Sequence, residues 1–193
     1  GRLEDVDRGG YDPEEHIKDM ELDGVSGELL YPSQGLFLFK VQDPDLLSAV
    51  FRAYNDWLAE FCGHYPDRLK GMAMVNLDDV QDGIRELERA AKMGLAGAML
   101  TEWPGPGLEY FDPRYEPFWA AAQDAGLPIG MHSGSVRPGP GRIGAFANNA
   151  AVTGTSAFRA TQDYWVRRSV ASMIFGGVFE RYPRLKVGVV EYE

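Results

Sequence analysis

Cysteine and histidine are both scarce: Cys62 is the single cysteine, and His16, His64 and His132 are the three histidines, in 193 residues. A lone cysteine excludes an internal disulfide and a cysteine-rich zinc site, and it fits a reducing, cytoplasmic setting. The chain has no His-x-His, no His-Glu-x-x-His and no cysteine pair, so it carries no self-contained metal motif. GxSxG is absent from the loop after His132, and the serines there have no second histidine or nearby acid to orient one. That argues against a serine hydrolase. No glycine fingerprint follows the first expected strand, which weakens a dinucleotide-binding reading. No apolar run reaches the roughly 18 to 20 residues of a membrane helix, and the opening GRLEDVDRGG offers no signal peptide. Positive charge is also in deficit, with 19 Lys and Arg against 29 Asp and Glu for a net charge of -10. Such a balance argues against nucleic acid or an anionic membrane as partner. It leaves room for an anionic substrate, since a metal or local arginines can reverse the field inside a pocket.

What is present is a regular alternation of helix and strand, most naturally one domain over 1–193. Asp12-Pro13-Glu14-Glu15 opens a helix to about Leu22, and Asp43-Pro44-Asp45 opens a longer one that ends before Pro66. Asp78 or Asp79 caps a third, stopped by Gly94, and Asp112-Pro113 begins a fourth, ended by Gly126. A last helical pattern runs from about Ser156 to Phe179. Between them, short apolar runs at Val25–Tyr31, Leu69–Asn76, Leu95–Leu100, Leu127–His132 and Leu185–Val190 read as five strands. Strands separated by helices imply parallel pairing with right-handed crossovers. Periodicity alone leaves a barrel portion and an open doubly wound sheet both standing. The stretch SGSVRPGPGRIGAFANNAAVTGT has little periodicity, and a long loop in a compact domain is often functional.

Candidate chemistry gathers at strand ends, the face where (β/α) barrels work. His132 closes the fourth strand, where an imidazole can bind a divalent metal or exchange a proton near neutral pH, with glycines leaving room beside it. Glu191 holds the analogous place on the fifth strand and Glu102 follows the third; either carboxylate suits a metal or a proton. Gly134-Ser135, Arg137 and Gly139-Pro140-Gly141-Arg142 form a candidate anion-binding loop, because a guanidinium fork matches a carboxylate. His16, His64, Trp103 and Trp119 read as packing or surface residues.

The segments DGVSGELLYPS at 23–33, DPRYEPFWAAAQDAGLPIGMHSG at 112–134 and GGVFERYPRLKVGVVEYE at 176–193 resemble the metal-dependent amidohydrolase superfamily. The resemblance is to the branch containing aminocarboxymuconate-semialdehyde and resorcylate-type decarboxylases. It implies a distorted (β/α)8 TIM barrel with a divalent metal, usually zinc, at the carboxyl ends of the strands. The chain then looks like strands two through six, lacking the family's His-x-His on strand one and its aspartate after strand eight. His132 resembles the ligand from strand five. Glu191 stands where many relatives carry a histidine that handles protons, so the resemblance implies a catalytic role for it in a separate subgroup.

Two functions are expected from this. One is a metal-dependent hydrolase or non-oxidative decarboxylase of a small cyclic or carboxylated substrate, in which His132 holds metal, Glu191 moves a proton, and Arg137 and Glu102 bind substrate. The alternative is a noncatalytic scaffold or subunit. Five strands leave two sheet edges, so a homodimer or higher assembly is expected.

Overall fold

A computed structural model describes residues 5–105, 107–137, 156, 160, 161 and 163–191. Five strands, β1 (Glu28–Leu30), β2 (Leu69–Met74), β3 (Gly97–Leu100), β4 (Ile129–His132) and β5 (Val187–Val190), lie side by side in chain order. Every neighbouring pair is parallel. Helices α1 (Pro13–Leu22), α2 (Pro44–Gly63), α3 (Val80–Lys92), α4 (Glu116–Ala125), α5 (Tyr164–Phe175) and α6 (Val178–Arg181) fill the connections. This is the expected α/β arc, five strands of a TIM barrel. The expected aspartates do the capping: Asp12, Asp43 and Asp79 accept backbone N–H groups at the starts of α1, α2 and α3. Asp112 caps a 3-10 turn, Pro113–Tyr115, that leads into α4.

Side chains alternate across each strand, and the two faces have different partners. Leu69, Ala73, Val75, Ala98, Leu100, Ile129 and Met131 pack in one large core with Leu87, Phe118 and Trp119 of the helices. Met74 and Met99 form a second cluster with Phe39, Leu47 and Phe51. Gly130 and His132 alternate with Ile129 and Met131, so they point away from the helix layer. A Cβ on Gly130 would come within 3.1 Å of the Met72 methyl and the Tyr31 hydroxyl. Glycine there lets the fourth strand and those side chains share a crowded interior.

Three features differ from the sequence expectation. Gln34–Lys40 is a 3-10 helix, in a stretch whose apolar residues follow neither helical nor strand spacing. It buries Phe39. The final helical pattern divides into α5 and α6, because Gly177 takes a left-handed φ of 72° and starts a new turn. Finally, α2 does more than cross over. Beyond Gly71 the β2 edge has no pairing to β1, and Asn55 of α2 occupies the gap. Its amide donates to Met74 O (2.9 Å) and accepts from Met74 N (2.7 Å), copying a strand's hydrogen bonds. Among the described residues no helix is long and apolar enough to cross a membrane.

Candidate active site

The parallel register sets His132 beside Val190, which brings Glu191, one residue on, to the same end of the sheet. The His132 Nε2 lies 3.7 Å from Glu191 Oε2. The ring's other nitrogen, Nδ1, is 2.8 Å from the Ser133 carbonyl. A carbonyl only accepts, so Nδ1 carries the proton and donates; in the neutral ring Nε2 is then the nitrogen that offers a lone pair, on the side of Glu191. Tyr31 packs against the imidazole with ring centroids 5.7 Å apart. Burial raises the Tyr31 phenol above its ordinary pKa, so it stays a neutral hydroxyl.

Glu191 is a non-glycine residue at φ 61°, an uncommon backbone state that clusters at functional positions. Its side chain is 69% exposed, and Ser133 Oγ donates to it at 3.3 Å. The turn that follows His132 is tied from beneath. Gly134, at φ 81°, donates its N–H to Glu102 Oε1 at 3.1 Å. Ser135 Oγ accepts from Glu102 N (2.9 Å) and donates to His132 O (2.7 Å). Glu102 is 3% exposed, and its own carbonyl accepts from Ser169 Oγ of α5 at 2.6 Å. His132, Glu191 and Glu102 thus form one connected set, joined through Ser133, Gly134 and Ser135.

Arg137 does not join it. It lines a separate cavity of about 510 Å³ with Phe39, Asn76, Asp78 and Thr101, and that wall contains none of Glu102, His132 or Glu191. Arg137, expected to bind substrate together with Glu102, turns instead toward Asp78 and the segment around Phe39. Arg142 and its glycine-proline loop lie outside the described residues.

The other singled-out residues have packing roles. His16 bridges Gly9 O (2.7 Å) and Glu28 Oε2 (2.8 Å) and meets Phe61 edge-on. Trp119 is fully buried and donates to Tyr110 O at 3.0 Å, while Trp103 stacks on Trp165 at 3.9 Å. His64 is exposed at the end of α2. Sequence reasoning passed over Tyr31 as a site residue, and it weighed the serines after His132 only as nucleophiles or as part of an anion-binding loop, not as supports of the turn. The signal for the two serines was their position directly after a strand-end histidine.

Among the described residues no three His, Cys, Asp or Glu side chains gather as a ligand set. Two donors nevertheless fit one ion. The 3.7 Å between His132 Nε2 and Glu191 Oε2 exceeds a hydrogen bond, yet is within the roughly 4.0 to 4.3 Å that two metal bonds span end to end. The Nδ1–H to carbonyl bond is also the usual support of a metal-bound histidine.

Comparison with known proteins adds four findings. Residues 12–191 match the family described as Amidohydrolase. The gamma-resorcylate decarboxylase of Polaromonas sp. strain JS666 is 30% identical over 154 residues, covering 76% of this chain and 45% of that protein. The 2-amino-3-carboxymuconate-6-semialdehyde decarboxylase of Dictyostelium discoideum is 26% identical over 195 residues, covering 95% of this chain and 48% of that protein. Among solved structures, the dihydroxybenzoic acid decarboxylase of Polaromonas sp. JS666, with bound manganese and the inhibitor 2-nitroresorcinol, superimposes with a TM-score of 0.69 at 25% identity. That match covers 91% of this chain and 53% of that one. The chain spans about half the length of the curated relatives it matches.

Proposed function

Since this chain belongs to the amidohydrolase family, we propose that its strand ends form part of a metal-dependent, non-oxidative decarboxylase site for a small aromatic or cyclic carboxylate. The observation that carries the reading is the His132–Glu191 pair, with the imidazole Nε2 and a carboxylate oxygen 3.7 Å apart at the carboxyl ends of neighbouring strands. Decarboxylase relatives with an aromatic acid in their names favour carbon dioxide loss over hydrolysis.

In this reading His132 Nε2 holds a divalent metal, and further ligands complete the set. Zinc is the metal the family resemblance implies, and manganese is the one bound in the Polaromonas decarboxylase. When bound, the metal polarises oxygen atoms of the substrate and orients it. The chain's own residues do the rest. Decarboxylation leaves a carbon that must take up a proton, and Glu191, a carboxylate open to solvent at the rim, is placed to relay one from water. Ser133 Oγ holds that carboxylate by hydrogen bonding. Glu102 fixes the turn through Gly134 N and supplies the polar floor near the substrate. The Tyr31 ring limits how the imidazole can rotate. A homodimer or higher assembly and a cytoplasmic location belong to the same reading, supported by the two sheet edges and by a buried free Cys62.

The test is carbon dioxide release from a panel of hydroxybenzoates by protein expressed from its uninterrupted reading frame and loaded with zinc or manganese. Release that falls by at least about a hundredfold in His132→Ala supports the reading. Wild-type release in that variant rejects His132 as ligand. A protein that holds no metal and releases nothing is the noncatalytic scaffold.

A further inference from the structure

Arg137 is 4% exposed, and its guanidinium reaches across the end of the sheet to segments far away in sequence. Nη1 donates to Phe39 O at 3.0 Å and to Val41 O, both in the loop after β1. Nη2 donates to the carboxylate of Asp78, in the loop after β2. The backbone N–H of Arg137 donates to Thr101 Oγ1 at 3.3 Å, just beyond β3, and that hydroxyl donates onward to Trp103 O. Arg137 itself sits five residues past His132, on the loop after β4. One side chain and its backbone therefore connect four successive strand-end loops.

A substrate-binding arginine needs a free fork. Here three of the five N–H groups that a guanidinium offers are taken by protein acceptors, and the Nε is buried without a hydrogen-bond partner among the described residues, so the group is committed mainly to the protein. The Asp78 partner is partly buried and neutralises the charge locally. What remains is a group well suited to holding the rim. Taking it away strands two carbonyls and a partly buried carboxylate, which costs stability where those groups are shielded from water.

We propose that Arg137 is a positioning residue, a buried strut that joins the loops after β1 to β4 into one rim and so holds the His132–Ser135 turn in its working orientation. The role rests on the reading of His132 as a metal ligand, because its catalytic effect acts through that turn. Ser135 and Glu102 fasten the near side of the turn, and Arg137, two residues further on, fastens the far side.

The test uses protein expressed from its uninterrupted reading frame and two readouts, amide hydrogen exchange and steady-state kinetics of the metal-loaded enzyme. In Arg137→Met, exchange rises together in residues 36–41 and 130–137, by roughly tenfold or more. kcat falls by about tenfold or more with KM within about twofold of wild type. Arg137→Lys, which keeps a cation for Asp78, recovers part of both. A raised KM at unchanged kcat, with exchange in both segments as in wild type, overturns the strut and makes Arg137 a substrate anchor. If Arg137→Met fails to fold, Asp78→Asn decides. A joint rise in the two segments supports the strut, and a rise confined to residues 76–80 overturns it. The exchange readout needs no turnover. Should His132→Ala keep its metal, the functional reading fails while the strut is still judged on exchange.

Discussion

At the scale of single residues, the molecule spends its buried polar groups on holding strand ends apart and in place. Asn55 shows this best. It is fully buried, satisfies both backbone groups of Met74, and donates to Glu86 Oε1 at 2.6 Å. Glu86, in turn, is clasped by Arg89 through both oxygens, and Arg89 also pairs with Asp56. Replacing Asn55 with Ala leaves a strand N–H and C=O without partners and uncovers one side of a buried carboxylate. The expected cost is about 2 to 4 kcal/mol, read from the urea midpoint at an unchanged slope. A loss within about 0.5 kcal/mol would show that β1 closes the gap once the amide is gone. In the sequence Asn55 is merely a polar position on an amphipathic helix. Nothing local announces that its partner is a strand edge 19 residues later.

Elements were more legible than side-chain directions. Each of the five strands follows a glycine, proline or aspartate punctuation and each is apolar, so their existence, order and parallel sense could be read from the chain, although their lengths came out shorter. The strand-end places of His132 and Glu191 followed from the same pattern. The direction of Arg137 did not, because its acceptors lie 59 to 98 residues away. Contacts between elements also set a pH response. Glu116 at the start of α4 accepts from Arg181 Nε (3.0 Å) in α6 and from the Tyr182 hydroxyl (2.6 Å) beside it. The Arg181 hydrogen bond holds the Glu116 carboxyl below its ordinary pKa, against the opposing effect of burial and with help from Tyr182. A carboxyl lowered on folding stabilises fully above its unfolded pKa of about 4.3, and that contribution is lost as pH falls through the folded value. Glu116→Gln is therefore expected to lower the urea midpoint at neutral pH. The gap from wild type narrows below about pH 4.3. Arg181 is 43% exposed, so screening keeps the effect small. A gap that stays constant down to strong acid would show that the charge plays no part.

For the molecule as a whole, the arc of five strands is the feature from which both the expected assembly and the proposed chemistry are argued. Among the described residues β1 and β5 each have a single strand neighbour, and Leu29 and Val189 on them are about half exposed. Unpaired edges with apolar side chains favour association. The 193-residue chain is expected to sediment as a dimer or larger at micromolar concentration, whereas a monodisperse monomer throughout would contradict this. The arc also delivers His132 and Glu191 to one rim, on which the central claim rests: His132 Nε2 is a metal ligand in a decarboxylase site. The most direct test is the metal content, by elemental analysis, of purified protein from the uninterrupted reading frame, wild type against His132→Ala. The account predicts close to one tightly held divalent ion per chain in the wild type and an affinity lower by at least about a hundredfold in the variant. Equal occupancy in the two proteins would contradict it.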